Sequence, residues 1–244
     1  MEERGRGSLL NKKSHRLVKK SIYQYLQLMD EQVKSKERVT DHGEVFTNKR
    51  EVNAMLDLVK QETERIDSRF LEPACGTGNF LVEILERKLK VVEARYKKSQ
   101  LEYERNAITA LTSIYGVDIL QDNVEACRDR LLGIFTKYYI NHYKKDFNED
   151  FLKAAQFILS KNIIWGDALT MKTIEEKPIT FSEWSAVNGS MLKRRDFQLD
   201  KLLENVEYDD SEMNLFSDHQ EPVFIPQPVA EFPLTHFLKI AEND

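Results

Sequence analysis

The 244-residue sequence is short of several things, and each shortage excludes a class of protein. No run approaches eighteen consecutive apolar residues, so no segment reads as a membrane-spanning helix. The first twenty residues, MEERGRGSLLNKKSHRLVKK, lack the apolar core of a secretory signal, and the expected location is the cytoplasm. There are only two cysteines, Cys75 and Cys127, in unrelated contexts; they make no disulfide framework, and a reducing compartment fits them better. Neither has a Cys or His neighbour at metal-ligand spacing, and the five histidines are scattered, so no protein-bound metal is expected. Proline is scarce and uneven, with four of the six in the tail PVFIPQPVAEFPLTHFLKIA. Internal repeats and low-complexity tracts are absent.

What is present is an ordinary globular composition, 41% hydrophobic and 32% charged, with a formal net charge of −5. That charge is unevenly spread. Residues 1–20 carry seven Lys or Arg against two Glu, whereas residues 204–222, ENVEYDDSEMNLFSDHQEP, carry seven acids and no Lys or Arg. A basic arm can neutralise nucleic-acid phosphates and gain affinity by counterion release, but it reads equally as a solvated helix start. The acidic segment reads as a linker that would repel DNA.

Apolar spacing at Leu17, Ile22, Leu26, Met29 and Val33 predicts a helix over about 14–36. A second helix is expected after Thr47 or Asn48, with Val52, Met55, Leu56 and Val59 on its apolar face. Then comes a short strand at 69–71 and a helix from about Asn79. The charged run from Arg87 to Thr112 reads as one or two solvent-exposed helices. SIYGVDIL reads as a strand ending on an acid, followed by helices over about 122–139 and 149–160 and a third strand in KNIIWGDAL. This alternation predicts a parallel sheet with helices on both faces. After Leu169 the rhythm fails. KPITFSEW suggests a strand, RRDFQLDKLLENV a short helix or strand, and the proline-containing tail an extended arm that packs against something.

In an open parallel sheet, ligands bind beyond the carboxyl ends of the strands. Three such ends carry suitable residues. In LEPACGTGNFL, Gly76 and Gly78 let a ligand approach the backbone, beside the free N–H groups of a helix start. Asp118 can accept from ribose hydroxyls, with Ile119 next to it to pack on a base. Asp167 and the small Ala168 suit an adenine edge. Each acid alone reads equally as a loop cap; together and in order they favour a nucleoside ligand. A dinucleotide site is excluded by the missing third glycine and by the 42-residue gap from Gly76 to Asp118, and a P-loop by the lack of Gly-Lys-Ser/Thr.

FLEPACGTGNFLVEIL resembles the first motif of S-adenosylmethionine-dependent adenine-N6 DNA methyltransferases, especially modification subunits of restriction–modification systems. GEVFTN upstream resembles the Gly-x-Phe/Tyr-Thr-Pro element of that class, and IYGVDI and IWGDAL resemble its second and third motifs, from about Thr40 to Leu169 in all. The resemblance implies a Rossmann-like α/β methyltransferase fold, shortened in its C-terminal half and preceded by a helical segment. It implies divisions at 1–40, 41–203 and 204–244, a DNA substrate, a restriction–modification partner subunit and no membrane. It also implies cofactor contacts: Glu72, Ala74, Gly76 and Gly78 around the methionine, Phe46 and Thr47 closing over it, Asp118 and Ile119 at the ribose and base, and Asp167 with Ala168 at the adenine.

One part of the pattern is missing. The family's Asn/Asp/Ser-Pro-Pro-Tyr/Phe holds the flipped base, yet this sequence has neither Pro-Pro nor Asn-Pro. The closest substitutes are Ser182-Glu183-Trp184 and Arg195-Asp196-Phe197. Lys193, Arg194 and Arg195 are candidates for phosphate contact, although such a cluster reads equally as surface charge. Trp184 fits a core position better than a stacking platform, and Trp165 reads as packing. The catalytic residues are therefore unassigned. Three functions stay open: an active adenine-N6 DNA methyltransferase or modification subunit, a catalytically silent cofactor-binding subunit supporting a partner methyltransferase or nuclease, and a methyltransferase of a non-DNA substrate.

Overall fold

The structure, a computed structural model, describes residues 47–203 and 226–242. The helix expected over 14–36, the side chain of Phe46 and the acidic segment lie outside the described residues.

Asn48 caps the first helix, α1 (Lys49–Asp57), by accepting from the Arg50 N–H. Only Val52 and Leu56 of its expected apolar face are buried, while Met55 and Val59 are exposed. A single turn, α2 (Lys60–Thr63), leads into β1 (Phe70–Glu72). Then follow α3 (Asn79–Tyr96), α4 (Gln100–Thr112), β2 (Ile114–Asp118), α5 (Gln121–Tyr143), α6 (Glu149–Asn162) and β3 (Ile163–Asp167). The charged stretch after Arg87 is less exposed than its composition suggests. Lys88, Leu89 and Val92 of α3 and Tyr103, Ala107, Ile108 and Leu111 of α4 are buried, because the charges sit between apolar residues at helical spacing.

β1, β2 and β3 pair in parallel in that order, and a two-residue β4 (Lys172–Thr173) closes the far edge in antiparallel sense. All three strands are added in one direction. Right-handed crossovers then carry both connections over the same face. The side chains divide accordingly. Ile114 and Ile163 join the core formed by the helices, whereas Tyr115 and Val117 face a second cluster with Ile179, Phe181 and Leu199.

That second face corrects the expectation of helices on both sides. It is covered by an antiparallel hairpin, β5 (Thr180–Ala186) and β6 (Met191–Gln198), followed by the short α7 (Leu199–Leu203). The tail adds β7 (Ala230–Glu231) and β8 (Thr235–His236) to the open side of β6. It ends in a 3-10 helix, Phe237–Glu242, that buries Phe237 and Ile240 in the main core, so the tail does pack against the body. Among the described residues β1 has a strand partner on one side only. No helix among the described residues is long and apolar enough to cross a membrane.

Candidate functional site

The site lies at the carboxyl ends of β1, β2 and β3. After β1 the chain turns through Gly76 (φ 52°) and Gly78 (φ 83°), left-handed conformations that a side chain strains. The two glycines differ in what surrounds them. A Cβ at Gly78 would lie 2.5 Å from Cys127 Sγ, so this glycine is needed for packing against α5. A Cβ at Gly76 would meet nothing within 4 Å, so this glycine faces open space. Gly78 stands at the N-cap of α3 with no side-chain cap, and the first turn carries no acid. Its N–H groups and positive dipole end suit a carboxylate.

Asp118, at the end of β2 and 8% exposed, joins the strand ends. Its Oδ2 accepts from the Gly76 N–H at 2.7 Å, and its Oδ1 accepts from the Leu120 N–H at 2.9 Å and Asn123 Nδ2 at 3.1 Å. Two ionised oxygens offer about four acceptor positions, so three donors leave room for one more. Glu72 ends β1 half-buried, and burial pushes its carboxyl up to about 7. At the third strand end, Asp167 Oδ1 accepts from the Leu169 N–H at 2.8 Å, and Ala168 packs partly buried against the hairpin-side cluster. Ile119 is 56% exposed, and its carbonyl accepts from Trp165 Nε1 at 3.0 Å, so this tryptophan also ties the loop after β2 to β3. Thr47 is near the turn as well: its carbonyl accepts from Asn79 Nδ2 at 3.3 Å. Ala74 is exposed in the turn itself.

Three supporting residues had been missed. Arg130, on α5, reaches the turn and donates from Nη1 to Thr77 O at 2.6 Å, Thr77 Oγ1 at 2.9 Å and Asn79 Oδ1 at 2.8 Å. Asn123 holds Asp118, and Asn79 links the turn to Thr47. A sequence signal for Arg130 existed in its position, three residues after the inward Cys127 on the same helix.

The basic cluster is not a free phosphate site. Arg194, 7% exposed, donates to Asp196 and Ser182 and lies 3.9 Å from the centre of the Phe232 ring, clamping the tail. Lys193 pairs with Glu231 at 3.0 Å and Arg195 with Glu183 at 2.6 Å. The two substitutes for the missing motif are likewise structural. Ser182 opposes Asp196 and Glu183 opposes Arg195 in the β5–β6 ladder, and Trp184 is buried with its Nε1 donating to Asn162 Oδ1. Ladder register fixes their backbones, so neither forms a loop at a strand end. Cys75 and Cys127 are buried free thiols, and the hydrogen bond with the Cys127 thiol, together with burial, pushes Cys75 above its ordinary range and disfavours the thiolate.

The glycine turn and the acid at the end of β2 are hydrogen-bonded to each other, and Asp167 ends the neighbouring strand β3. No curated protein and no solved structure matches the sequence. The family model described as MmeI, DNA-methyltransferase domain, matches residues 32–185, more than half of the chain and all three strand ends. The chain belongs to the MmeI DNA-methyltransferase-domain family, and so to the DNA methyltransferases of restriction–modification type.

Proposed function

We propose that the strand-end site binds S-adenosylmethionine and that the chain is an adenine-N6 DNA methyltransferase or the modification subunit of a restriction–modification system. The observation that carries this reading is the Gly76–Asp118 hydrogen bond, which brings the glycine turn and the acid of β2 to one place. The site's shape and charge fit the ligand. Gly76 leaves its side-chain position open, the uncapped start of α3 suits the methionine carboxylate, and Glu72 suits the methionine ammonium. Asp118 Oδ2 has acceptor capacity for a ribose hydroxyl, Ile119 presents an apolar side chain for the adenine face, and Asp167 with Ala168 meets the adenine edge. Phe46 and Thr47 would close the methionine end. When bound, the cofactor supplies the methyl group. Arg130 and Asn123 hold the turn and Asp118 in place.

A second reading has its own support. The sequence has no Pro-Pro, and both substitutes are locked in the hairpin rather than placed in a loop at a strand end. On this reading the chain serves as a cofactor-binding subunit whose partner contributes the groups that hold a flipped adenine.

Radiolabelled methyl transfer separates the readings. Purified chain is mixed with mixed-sequence DNA, with and without the polypeptides encoded beside it, and the DNA is digested to nucleosides. N6-methyladenine made by the chain alone supports a complete enzyme, and N6-methyladenine only with a partner supports the subunit reading. Label in protein or small molecules instead contradicts a DNA substrate.

A further inference from the structure

We propose that Asn79 is a positioning residue of the strand-end site: its side-chain amide ties the Thr47 backbone to the glycine turn and so holds the chain entering α1 at the methionine end. The inference rests on the cofactor reading above, which places Thr47 at that end, and names what keeps it there.

The amide works at both of its ends. Asn79 is the first residue of α3, directly after Gly78. Its Oδ1 accepts from Arg130 Nη1 at 2.8 Å, and its Nδ2 donates to the Thr47 carbonyl at 3.3 Å. Arg130 decides which way the amide faces. This guanidinium is half-buried, among the described residues no carboxylate pairs with it, and its acceptors are Thr77 O, Thr77 Oγ1 and Asn79 Oδ1. A guanidinium accepts no hydrogen bond, so it meets only the oxygen of the amide and leaves Nδ2 directed at Thr47. The charge also polarises the amide, which strengthens the bond on its far side.

The two ends of α1 are fastened differently. Further along the helix Val52 and Leu56 are buried, and Arg87 of α3 donates to Asn53 O and Asn53 Oδ1 and pairs with Asp57 at 2.8 Å. At the start, the Asn79–Thr47 bond lies one residue before the Asn48 cap. Lys49 reaches Glu83 of α3 at 3.4 Å, but its side chain is 75% exposed, and such a pair holds little. The N–H groups of Arg50, Glu51 and Val52 all donate to Asn48. A Thr47 that comes loose therefore frays this turn of α1 first and leaves the rest of the helix docked.

The test compares the full chain with Asn79→Asp and Asn79→Ala by amide hydrogen exchange, thermal unfolding and S-adenosylmethionine calorimetry. Asn79→Asp keeps the oxygen for Arg130 but turns an acceptor to the Thr47 carbonyl. It also puts an acid in the first turn of α3, which has none, so its unfolding midpoint should be no lower than that of wild type. Without cofactor, exchange in this variant should be at least about threefold faster at Arg50, Glu51 and Val52 and unchanged at Met55, Leu56 and Asp57. Both variants should bind the cofactor at least about threefold more weakly, the effect of one neutral hydrogen bond. Unchanged exchange at Arg50, Glu51 and Val52 in Asn79→Asp overturns the proposal. So does wild-type affinity in Asn79→Ala, since a loss confined to Asn79→Asp reports repulsion of the cofactor's carboxylate. No binding by the unsubstituted chain contradicts the cofactor reading alone, and the exchange comparison, made without cofactor, still decides the Thr47 tether.

Discussion

Asp118 and Gly76 are 42 residues apart and joined by a 2.7 Å hydrogen bond from the glycine's N–H to the carboxylate. The bond fixes the end of β2 against the turn that follows β1. A 34-residue excursion through α3 and α4, residues 79–112, separates the two in sequence and leaves their geometry intact.

Asp118→Ala should both destabilise the chain and abolish cofactor binding, since it orphans the Gly76 and Leu120 N–H groups and the Asn123 amide. Hydrogen bonds to a charged acceptor contribute about 1.5–3 kcal/mol each and overlap, so a loss of about 3 kcal/mol is expected in denaturant unfolding. Asp118→Asn, which keeps one acceptor oxygen, should lose less. Equal stability for wild type and Asp118→Ala would contradict the linking role.

Glu72 gives the site a pH dependence. Its carboxyl sits at about 7 against an ordinary 4.5, so the folded chain holds more protons than the unfolded chain between those values. Its contribution to stability is present below about pH 4.5 and is lost as pH rises to about 7. Glu72→Gln should therefore gain stability relative to wild type across that window when no cofactor is added. Affinity for the cofactor should rise with pH and level off above about 7, and Glu72→Gln should flatten the rise. A wild-type affinity independent of pH would remove Glu72 from the cofactor contacts.

Gly78→Ala places a methyl group 2.5 Å from Cys127 Sγ on a left-handed backbone. A loss of about 1–3 kcal/mol is expected from overpacking and backbone strain together. Cys127→Ala in the same chain should recover part of it by removing the sulfur, but not the strain. Full recovery in the double variant would mean the backbone conformation costs nothing.

Lys88 is fully buried, donating to Ile66 O, Ser68 O and Ser113 Oγ beneath β1. Burial pushes its ammonium down to about 7 from 10.5, so the unfolded chain binds more protons across that interval and stability from this group rises with pH there. Lys88→Met removes the donor to Ser68 O, while Ile66 O keeps the Ser113 hydroxyl, and should cost about 1–3 kcal/mol, more at pH 9 than at pH 7. A loss that shrinks as pH rises would contradict this sign.

Much of the site was legible because its residues are fixed by local rules. Glycines mark a turn with φ above zero, and acids end strands next to helices, so the places of Gly76 and Gly78 in a turn and of Asp118 and Asp167 at strand ends could be read from the sequence. Arg130 and Asn123 were not legible, because a helix surface carries many polar residues and only the tertiary contact says which one reaches the turn. The strand in KPITFSEW was legible, but its pairing with β6 was hidden for a different reason. The hairpin's strands alternate Ser182, Glu183, Trp184 and Lys193, Arg194, Arg195, and the buried Arg194 is stabilised by a ring and a carboxylate that no local pattern brings together. Helices on both faces were expected from the alternation of elements, but alternation does not give strand order. Three strands added in one direction put every crossover on one side.

The most direct test of the cofactor site is a calorimetric titration of the full chain with S-adenosylmethionine, repeated on Asp118→Asn. Saturable binding of one equivalent is expected for the wild type, with a dissociation constant on the order of micromolar, weakened at least about tenfold in the variant. No heat of binding in a folded wild-type chain, or the same affinity in both, would contradict the assignment.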